Sequence, residues 1–247
     1  MKPSTTPNPP KSTKLLMRHD GQTLAQLASP RSKNRILIVD YHPLFRHGIA
    51  DLINAEPDLE VCGEADNAPA ALEGIRKHLP DLVTIDISLR GANGIELLKS
   101  IRAEHARLPL LVLSMHDESL FALRALRAGA RGYIMKQEAL DRVMSAIRHV
   151  LGGELYVSPS MSGRMIQEFV QGGTGASASI ADKLTDRELE ILQLIGHGHG
   201  VQQIARELNL SAKTVETHRA HIKEKLNFQT ARELARFAVQ WVDQQAV

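Results

Sequence analysis

Two hydrophobic periodicities alternate between residues 35 and 151. Short apolar runs stand at 36–40 (ILIVD), 59–65 (LEVCGEA), 82–87 (LVTIDI), 110–115 (LLVLSM) and 132–136 (GYIMK). They have the length and branched-residue content of strands. Amphipathic helical patterns lie between them at about 43–55, 68–79, 93–105 and 118–130, and a fifth follows at about 139–151. Strands interleaved with helices predict a parallel five-stranded sheet covered on both faces. The continuously apolar runs fit such buried strands. A helical stretch follows at 159–170, and then the small residues GGTGASAS at 172–179 predict a flexible linker. From Lys183 onward every signal is helical. One helix runs from Asp186 to about His197, with Thr185 as its cap and Glu188 three residues on, a capping box. GHGHG at 196–200 ends it. Helices are expected at 201–207, at 211–226 with Ser211 as cap, and at 231–242, a small bundle containing a helix-turn-helix.

The expected division is therefore a tail at 1–33, an α/β domain at 34–155, a linker with one helix at 156–182, and an all-α domain at 183–247. Residues 1–33 read as disordered, with a weak helical signal around Asp20 to Leu27. Charge adds little to this picture. The formal net charge is +2, and residues 1–35 alone hold seven Lys or Arg against Asp20. Residues 183–247 hold nine Lys/Arg against eight Asp/Glu, so affinity for nucleic acid must come from a local patch. The single cysteine, Cys62, excludes an internal disulfide and a four-Cys zinc site, and reads as a buried strand residue. The N-terminus lacks the apolar core of a signal peptide, and no stretch is long and apolar enough to span a membrane. A cytoplasmic location is expected.

In an open α/β sheet, ligands sit outside the carboxyl ends of the strands. Those ends carry Asp40, Asp86, Ser114 and Lys136. Two carboxylates, a hydroxyl and an ammonium at one rim suit a phosphoryl acceptor: a divalent cation neutralises charge, Lys pairs with phosphoryl oxygens, and the hydroxyl hydrogen-bonds to one. Each group alone has a plain explanation as a helix cap or a solvated charge.

In the last domain, the helix SAKTVETHRAHIKEKL at 211–226 places Val215, Ile222 and Leu226 on one face, with His218 at its edge. Lys213, Thr217, Ala220 and Glu224 fall opposite. Small and hydroxyl residues permit close approach to base edges, while Lys and Arg reach phosphates. Periodicity alone fits an ordinary surface helix equally well.

Residues 35–152 resemble a receiver domain of the NarL/FixJ type, a flavodoxin-like fold. DLVTIDISLRGANGIELLKSIR is similar to the phosphoacceptor segment, which implies phosphorylation at Asp86. LVLSMHDE implies a switch hydroxyl at Ser114. GARGYIMK implies the lysine at Lys136 and the switch aromatic at Tyr133. ILIVDYHPLFRHGI is similar to the acidic-pocket segment, so Mg²⁺ would be held by Asp40 and Asp86. The family carries two adjacent acids where this chain has Asp40 then Tyr41. Tyrosine supplies no anionic oxygen at neutral pH, so weakened Mg²⁺ binding and weakened phosphorylation are expected; the alternatives are a phosphorylation-independent receiver controlled by partner binding or expression level, and an active-like state without phosphate.

LTDRELEILQLIGHGHGVQQIARELNLSAKTVETHRAHIKEKLNFQTARELARFAV resembles a four-helix LuxR-type helix-turn-helix domain. The resemblance implies that Lys213, Thr214, Glu216, Thr217, Arg219, Ala220 and Lys223 face DNA. Lys213, Arg219 and Lys223 would bind phosphate, and Glu216, Thr217 and Ala220 would read bases. It makes His218 structural, through packing and backbone hydrogen bonding. The stripe of Leu234, Phe237, Ala238 and Trp241 either helps form a DNA-bound dimer or closes the bundle. His197 and His199 make only a weak metal motif.

The expectation is a two-component response regulator, not an enzyme, with promoter DNA and a sensor histidine kinase as partners and a homodimer on DNA. Two other classes compete: a phosphohydrolase using Asp86 as nucleophile, which lacks a visible second general acid, and a phospho-signalling adaptor that does not act on DNA.

Overall fold

The apolar runs pair as a parallel sheet in a computed structural model that describes residues 33–89, 91–138, 140–170 and 180–245. The tail at 1–33 expected to be disordered, except Lys33, and the expected linker at 172–179 lie outside the described residues. In chain order the elements are β1 (Asn34–Val39), α1 (Pro43–Ala55), β2 (Leu59–Ala65), α2 (Ala68–His78), β3 (Leu82–Ile85), β4 (Ser88–Leu89), β5 (Ala92–Asn93), α3 (Gly94–Glu104), β6 (Leu110–Ser114), α4 (Glu118–Arg127), β7 (Gly132–Met135), α5 (Leu140–Leu151) and α6 (Pro159–Val170). Then come α7 (Ile180–Lys183), α8 (Asp186–Gly196), α9 (Val201–Glu207), α10 (Ala212–Leu226) and α11 (Ala231–Gln245).

The main sheet has the order β2-β1-β3-β6-β7, with every pairing parallel. Strand order reverses beside β1, so β1 and β3 flank the switch point at which such sheets bind ligands. Alternate residues of each strand serve opposite faces. Ile36, Ile38, Leu111 and Leu113 pack with Ile49, Ile53 and Ile147 of α1 and α5. Leu37, Val39, Val83, Ile85 and Val112 pack with residues of α2, α3 and α4, and this apolar cluster continues into Leu189, Ile191 and Val215 of the helical bundle. The two predicted domains thus share contiguous apolar packing.

Local caps explain the helix starts. The Asn67 side chain accepts from the Ala70 amide, Asn93 from Ile95, and Asp117 from Ser119. The predicted capping box is present: Thr185 N–H donates to Glu188 Oε2, and Glu188 N–H to Thr185 Oγ1. Ser211 Oγ accepts from the Thr214 amide, and Asn227 ends α10 in the left-handed region at φ 59°. Gly196 closes α8 against α11. A Cβ there would lie 2.6 Å from the Ala238 carbonyl oxygen.

Three differences from the sequence reading have physical reasons. The β4–β5 hairpin is two residues per strand, too short for periodicity to reveal. The helix α7 stands where only linker was expected, and its Ile180 packs on the bundle core. Cys62 lies in β2 as expected but is only half-buried, because β2 is an edge strand. The stripe on α11 is spent closing the bundle: Leu234, Ala238 and Trp241 are buried and Phe237 packs against the same core. No described helix is long and apolar enough to cross a membrane.

Candidate functional site: the acidic rim and the exposed face of the third bundle helix

The strand ends bring Asp40, Asp86, Ser114 and Lys136 together, as the βα pattern required. Asp40, Asp86 and Ser114 are buried. Lys136 Nζ lies 2.6 Å from Asp40 Oδ2 and 2.7 Å from Asp86 Oδ2, so one ammonium bridges both carboxylates. A Phe45 ring covers it, with its centroid 4.5 Å from Nζ. Gly94 allows the close approach of α3: a Cβ there would sit 2.1 Å from the Asp86 carbonyl oxygen.

His42 is a member of this cluster that the sequence reading did not single out. Its Nδ1 lies 3.3 Å from Asp40 Oδ1 and 3.5 Å from Asp86 Oδ2, and its main-chain N–H donates to Asp40 Oδ1 at 2.8 Å. Hydrogen bonding to Asp40 and then to Asp86 raises the imidazole pKa to about 9. Burial alone would raise the Asp40 carboxyl; the His42 hydrogen bond and the Lys136 charge outweigh it and hold the group below its usual range. The residues fit a hard divalent cation. Both carboxylates commit Oδ2 to Lys136, while Asp40 Oδ1 and Asp86 Oδ1 each accept one main-chain N–H, at 2.8 and 3.3 Å, and keep further lone pairs. Tyr41 brings no carboxylate to the set.

A second group missed in the sequence is His116, directly beyond β6. Its N–H donates to Ser114 Oγ at 3.1 Å, and its carbonyl accepts the Tyr133 hydroxyl at 2.8 Å. Its Nε2 is 2.9 Å from Ser88 Oγ, and the Ser88 amide donates to Asp86 Oδ1. The same ring reaches the bundle: Nδ1 is 3.1 Å from Gln193 Oε1, and Nε2 is 3.5 Å from Glu190 Oε1. At 3.5 Å the Glu190 contact is a charge pairing, and Ser88 holds the hydrogen bond. Glu190 is fully buried, with Oε2 taken by Arg187 at 2.7 Å. Burial would raise its carboxyl; His116 and Arg187 overcome this and lower it. Conversely, burial would lower the His116 imidazole, but Glu190 and Gln193 raise it. Arg124 of α4 pairs with Asp186 of α8 and donates to the Leu184 carbonyl, and Lys99 of α3 approaches Asp186 at 3.7 Å. Pairs between residues 60 to 90 apart in sequence carry no periodic signature, which is why they were not legible.

Tyr133 is fully buried, its hydroxyl pKa driven well above normal by burial. The switch aromatic that the resemblance implies thus lies inside the receiver in this structure.

On α10, Lys213, Glu216, Thr217 and Ala220 are exposed on one face, and Thr214, Arg219 and Lys223 are half-exposed beside them. Val215 and Ile222 are buried on the other, as the phase predicted. Arg219 Nη1 lies 3.2 Å from Glu216 Oε1, so those two side chains restrain each other. His218 departs from expectation: its Nδ1 is buried and makes no hydrogen bond. His199 Nδ1 pairs with Glu207 Oε2 at 2.9 Å, and neither His197 nor His199 joins a three-residue ligand group among the described residues.

Comparison with known proteins follows the same division. Residues 36–148 match the family described as response regulator receiver domain, and residues 182–238 match bacterial regulatory proteins, luxR family. The chain is 35% identical over 210 residues to the oxygen regulatory protein NreC of Staphylococcus carnosus, covering 83% of this chain and 96% of the relative. A two-component response regulator of the LuxR family from Aurantimonas sp. is similar in structure (TM-score 0.53, 37% identity, 56% of this chain and 99% of the other). RcsB from Salmonella enterica serovar Typhimurium, bound to promoter rprA in the presence of phosphomimetic BeF3⁻, shares the fold at TM-score 0.55 and 24% identity, over 84% of this chain and 98% of the other.

Proposed function

The chain belongs to the LuxR-type response regulators of two-component systems, and from that premise we propose that phosphoryl transfer to Asp86 loosens the His116 contact with α8 and so changes DNA binding by α10. The family regulates transcription by binding DNA and answers to sensor kinases. The observation that carries the proposal is the position of His116, tied by its backbone to Ser114 and Tyr133 and by its ring to Glu190 and Gln193.

In the transfer, an Asp86 carboxylate oxygen attacks phosphorus while the phosphorus–donor bond breaks, and the donor leaves with that electron pair. Asp40 and Asp86 would hold Mg²⁺, which when bound neutralises the charge of the incoming group. Lys136 then pairs with phosphoryl oxygens instead of bridging two carboxylates. Ser114 donates its hydroxyl to the phosphoryl group and turns away from the His116 amide. Ser88, whose amide faces Asp86 Oδ1, shifts with the esterified carboxyl, and His116 loses its Oγ partner. The α8 contact weakens as a result.

On DNA, Lys213, Arg219 and Lys223 contact phosphates, while Glu216, Thr217 and Ala220 meet base edges and Thr214 supports the entry of the helix. Two copies on paired half-sites form the expected dimer. RcsB bound to promoter DNA is a precedent for the architecture.

The test is incubation with acetyl phosphate across a range of Mg²⁺, read by intact mass. Wild type gains one phosphoryl group and Asp86→Asn gains none. Absence of any adduct on wild type, with the cognate kinase included, contradicts the proposal. A second reading, in which the receiver is regulated by partner binding without phosphate, is favoured by Tyr41, which stands where a further carboxylate would complete the pocket.

A further inference from the structure

The helical domain holds a cluster that neither the receiver chemistry nor the DNA face uses. His218 and His221 are one helical turn apart on α10 and point toward Glu188 of α8. Each of the three offers a donor atom, and these atoms lie within 4.8 Å of one another. They line an open depression of about 660 Å³ with Thr185, Glu224 and Lys225.

The two oxygens of Glu188 have different roles. Oε2 accepts from the Thr185 amide at 2.8 Å and from Lys225 Nζ at 2.6 Å, which fixes the side chain. Oε1 instead faces His221 Nδ1 at 3.8 Å. His218 Nδ1 is buried without a hydrogen-bond partner, an unusual state for a buried polar atom. His221 is half-exposed and its ring meets that of His218 edge-on. A carboxylate already fixed on one oxygen, a half-buried imidazole and a second imidazole at the mouth are three donors held by two packed helices.

We propose that Glu188, His218 and His221 form a binding site for a divalent cation of the zinc class, with a fourth position open to solvent beside Glu224. Two imidazole nitrogens and one carboxylate oxygen suit Zn²⁺ and its first-row neighbours, and are too nitrogen-rich for Mg²⁺ or Ca²⁺. Bond lengths of about 2.0–2.2 Å require these donor atoms, now within 4.8 Å of one another, to draw together around the cation. Lys225 is partly exposed and turns to solvent as the cation takes over part of its charge pairing. The bound cation ties α10 to α8 and so braces the helix that presents Thr217 and Ala220.

The probe is Zn²⁺ itself, titrated into the full chain against a chromophoric chelator. The receiver cluster of Asp40, His42 and Asp86 is the competing location, so His42→Ala is measured in parallel. Wild type and His42→Ala bind one Zn²⁺ with equal affinity at this site. His221→Ala binds it at least roughly tenfold more weakly, and His221→Cys restores binding. His221 is exposed enough that its loss leaves the fold intact, which circular dichroism checks. Equal zinc affinity in wild type and His221→Ala, or a loss seen in His42→Ala alone, overturns the site.

Discussion

The His116 ring of the receiver and the Glu190 carboxylate of α8 meet at 3.5 Å, the carboxylate fully buried and the ring mostly so, with Gln193 3.1 Å from the other ring nitrogen. This is the point at which the phosphorylation rim touches the DNA-binding domain. Removing the ring by His116→Ala leaves Glu190 its Arg187 partner, so the bundle keeps its fold while the interdomain contact is lost. The hydrogen bond between the ring and Gln193, charge-assisted when the imidazole is protonated, contributes roughly 1.5–3 kcal/mol. The expected outcome is a DNA affinity raised about tenfold without any phosphodonor, measured by fluorescence anisotropy on a site selected from random duplex DNA. An unchanged affinity places the coupling elsewhere.

The same pair sets a pH dependence. In the closed arrangement the His116 imidazole is raised above its ordinary value of ~6.5, because Glu190 and Gln193 outweigh burial. A group whose pKa is raised on association contributes its stabilisation fully below the free value and loses it as pH rises through the raised value. The contact is therefore strongest below pH ~6.5 and weakens above it. Hydrogen exchange of α8 amides, compared between wild type and His116→Gln across that window, checks this: exchange rises with pH beyond the intrinsic rate in wild type alone.

Tyr41→Asp restores a second acid beside Asp40. The Mg²⁺ concentration for half-maximal phosphorylation falls roughly tenfold, as an added carboxylate raises site charge and ligand count. Phosphorylation rate against Mg²⁺ measures it, and an unchanged midpoint shows that Tyr41 is not the weak point of the pocket.

On the DNA face, Lys223→Ala and Glu216→Ala act differently. Loss of a phosphate contact at Lys223 weakens binding to all sequences alike and reduces the slope of log affinity against log salt by about 1. Loss of Glu216 frees Arg219 and alters preference at one base position by roughly 1–3 kcal/mol. Salt titrations on two DNA sequences separate these outcomes.

Gly94→Ala forces a Cβ against the Asp86 carbonyl oxygen, which is backbone and cannot rotate away. It destabilises the receiver by roughly 1–3 kcal/mol and slows phosphorylation, whereas Gly91→Ala, with open space around it but φ at +70°, carries only backbone strain. Urea unfolding with parallel phosphodonor rates tests the pair.

What the sequence made legible was periodic or local. Five strands, the caps at Thr185 and Ser211, and the buried phase of Val215 and Ile222 all arise from neighbours a few residues apart. Asp40, Asp86, Ser114 and Lys136 were found because strand ends converge by topology. The contacts of His116 with Glu190 and of Arg124 with Asp186 arise from the packing of one domain on another, which no periodicity encodes. The resemblance makes His218 structural; the missing hydrogen bond of its Nδ1 arises from the packing of α10 on α8, which no local pattern encodes.

The most direct measurement is the affinity of the full chain for one selected DNA site, before and after acetyl phosphate treatment with Mg²⁺, in wild type and Asp86→Asn. The account predicts at least a roughly tenfold tightening in wild type, corresponding to about 1.4 kcal/mol, and none in Asp86→Asn. Equal affinity of the phosphorylated and unphosphorylated wild type would contradict it.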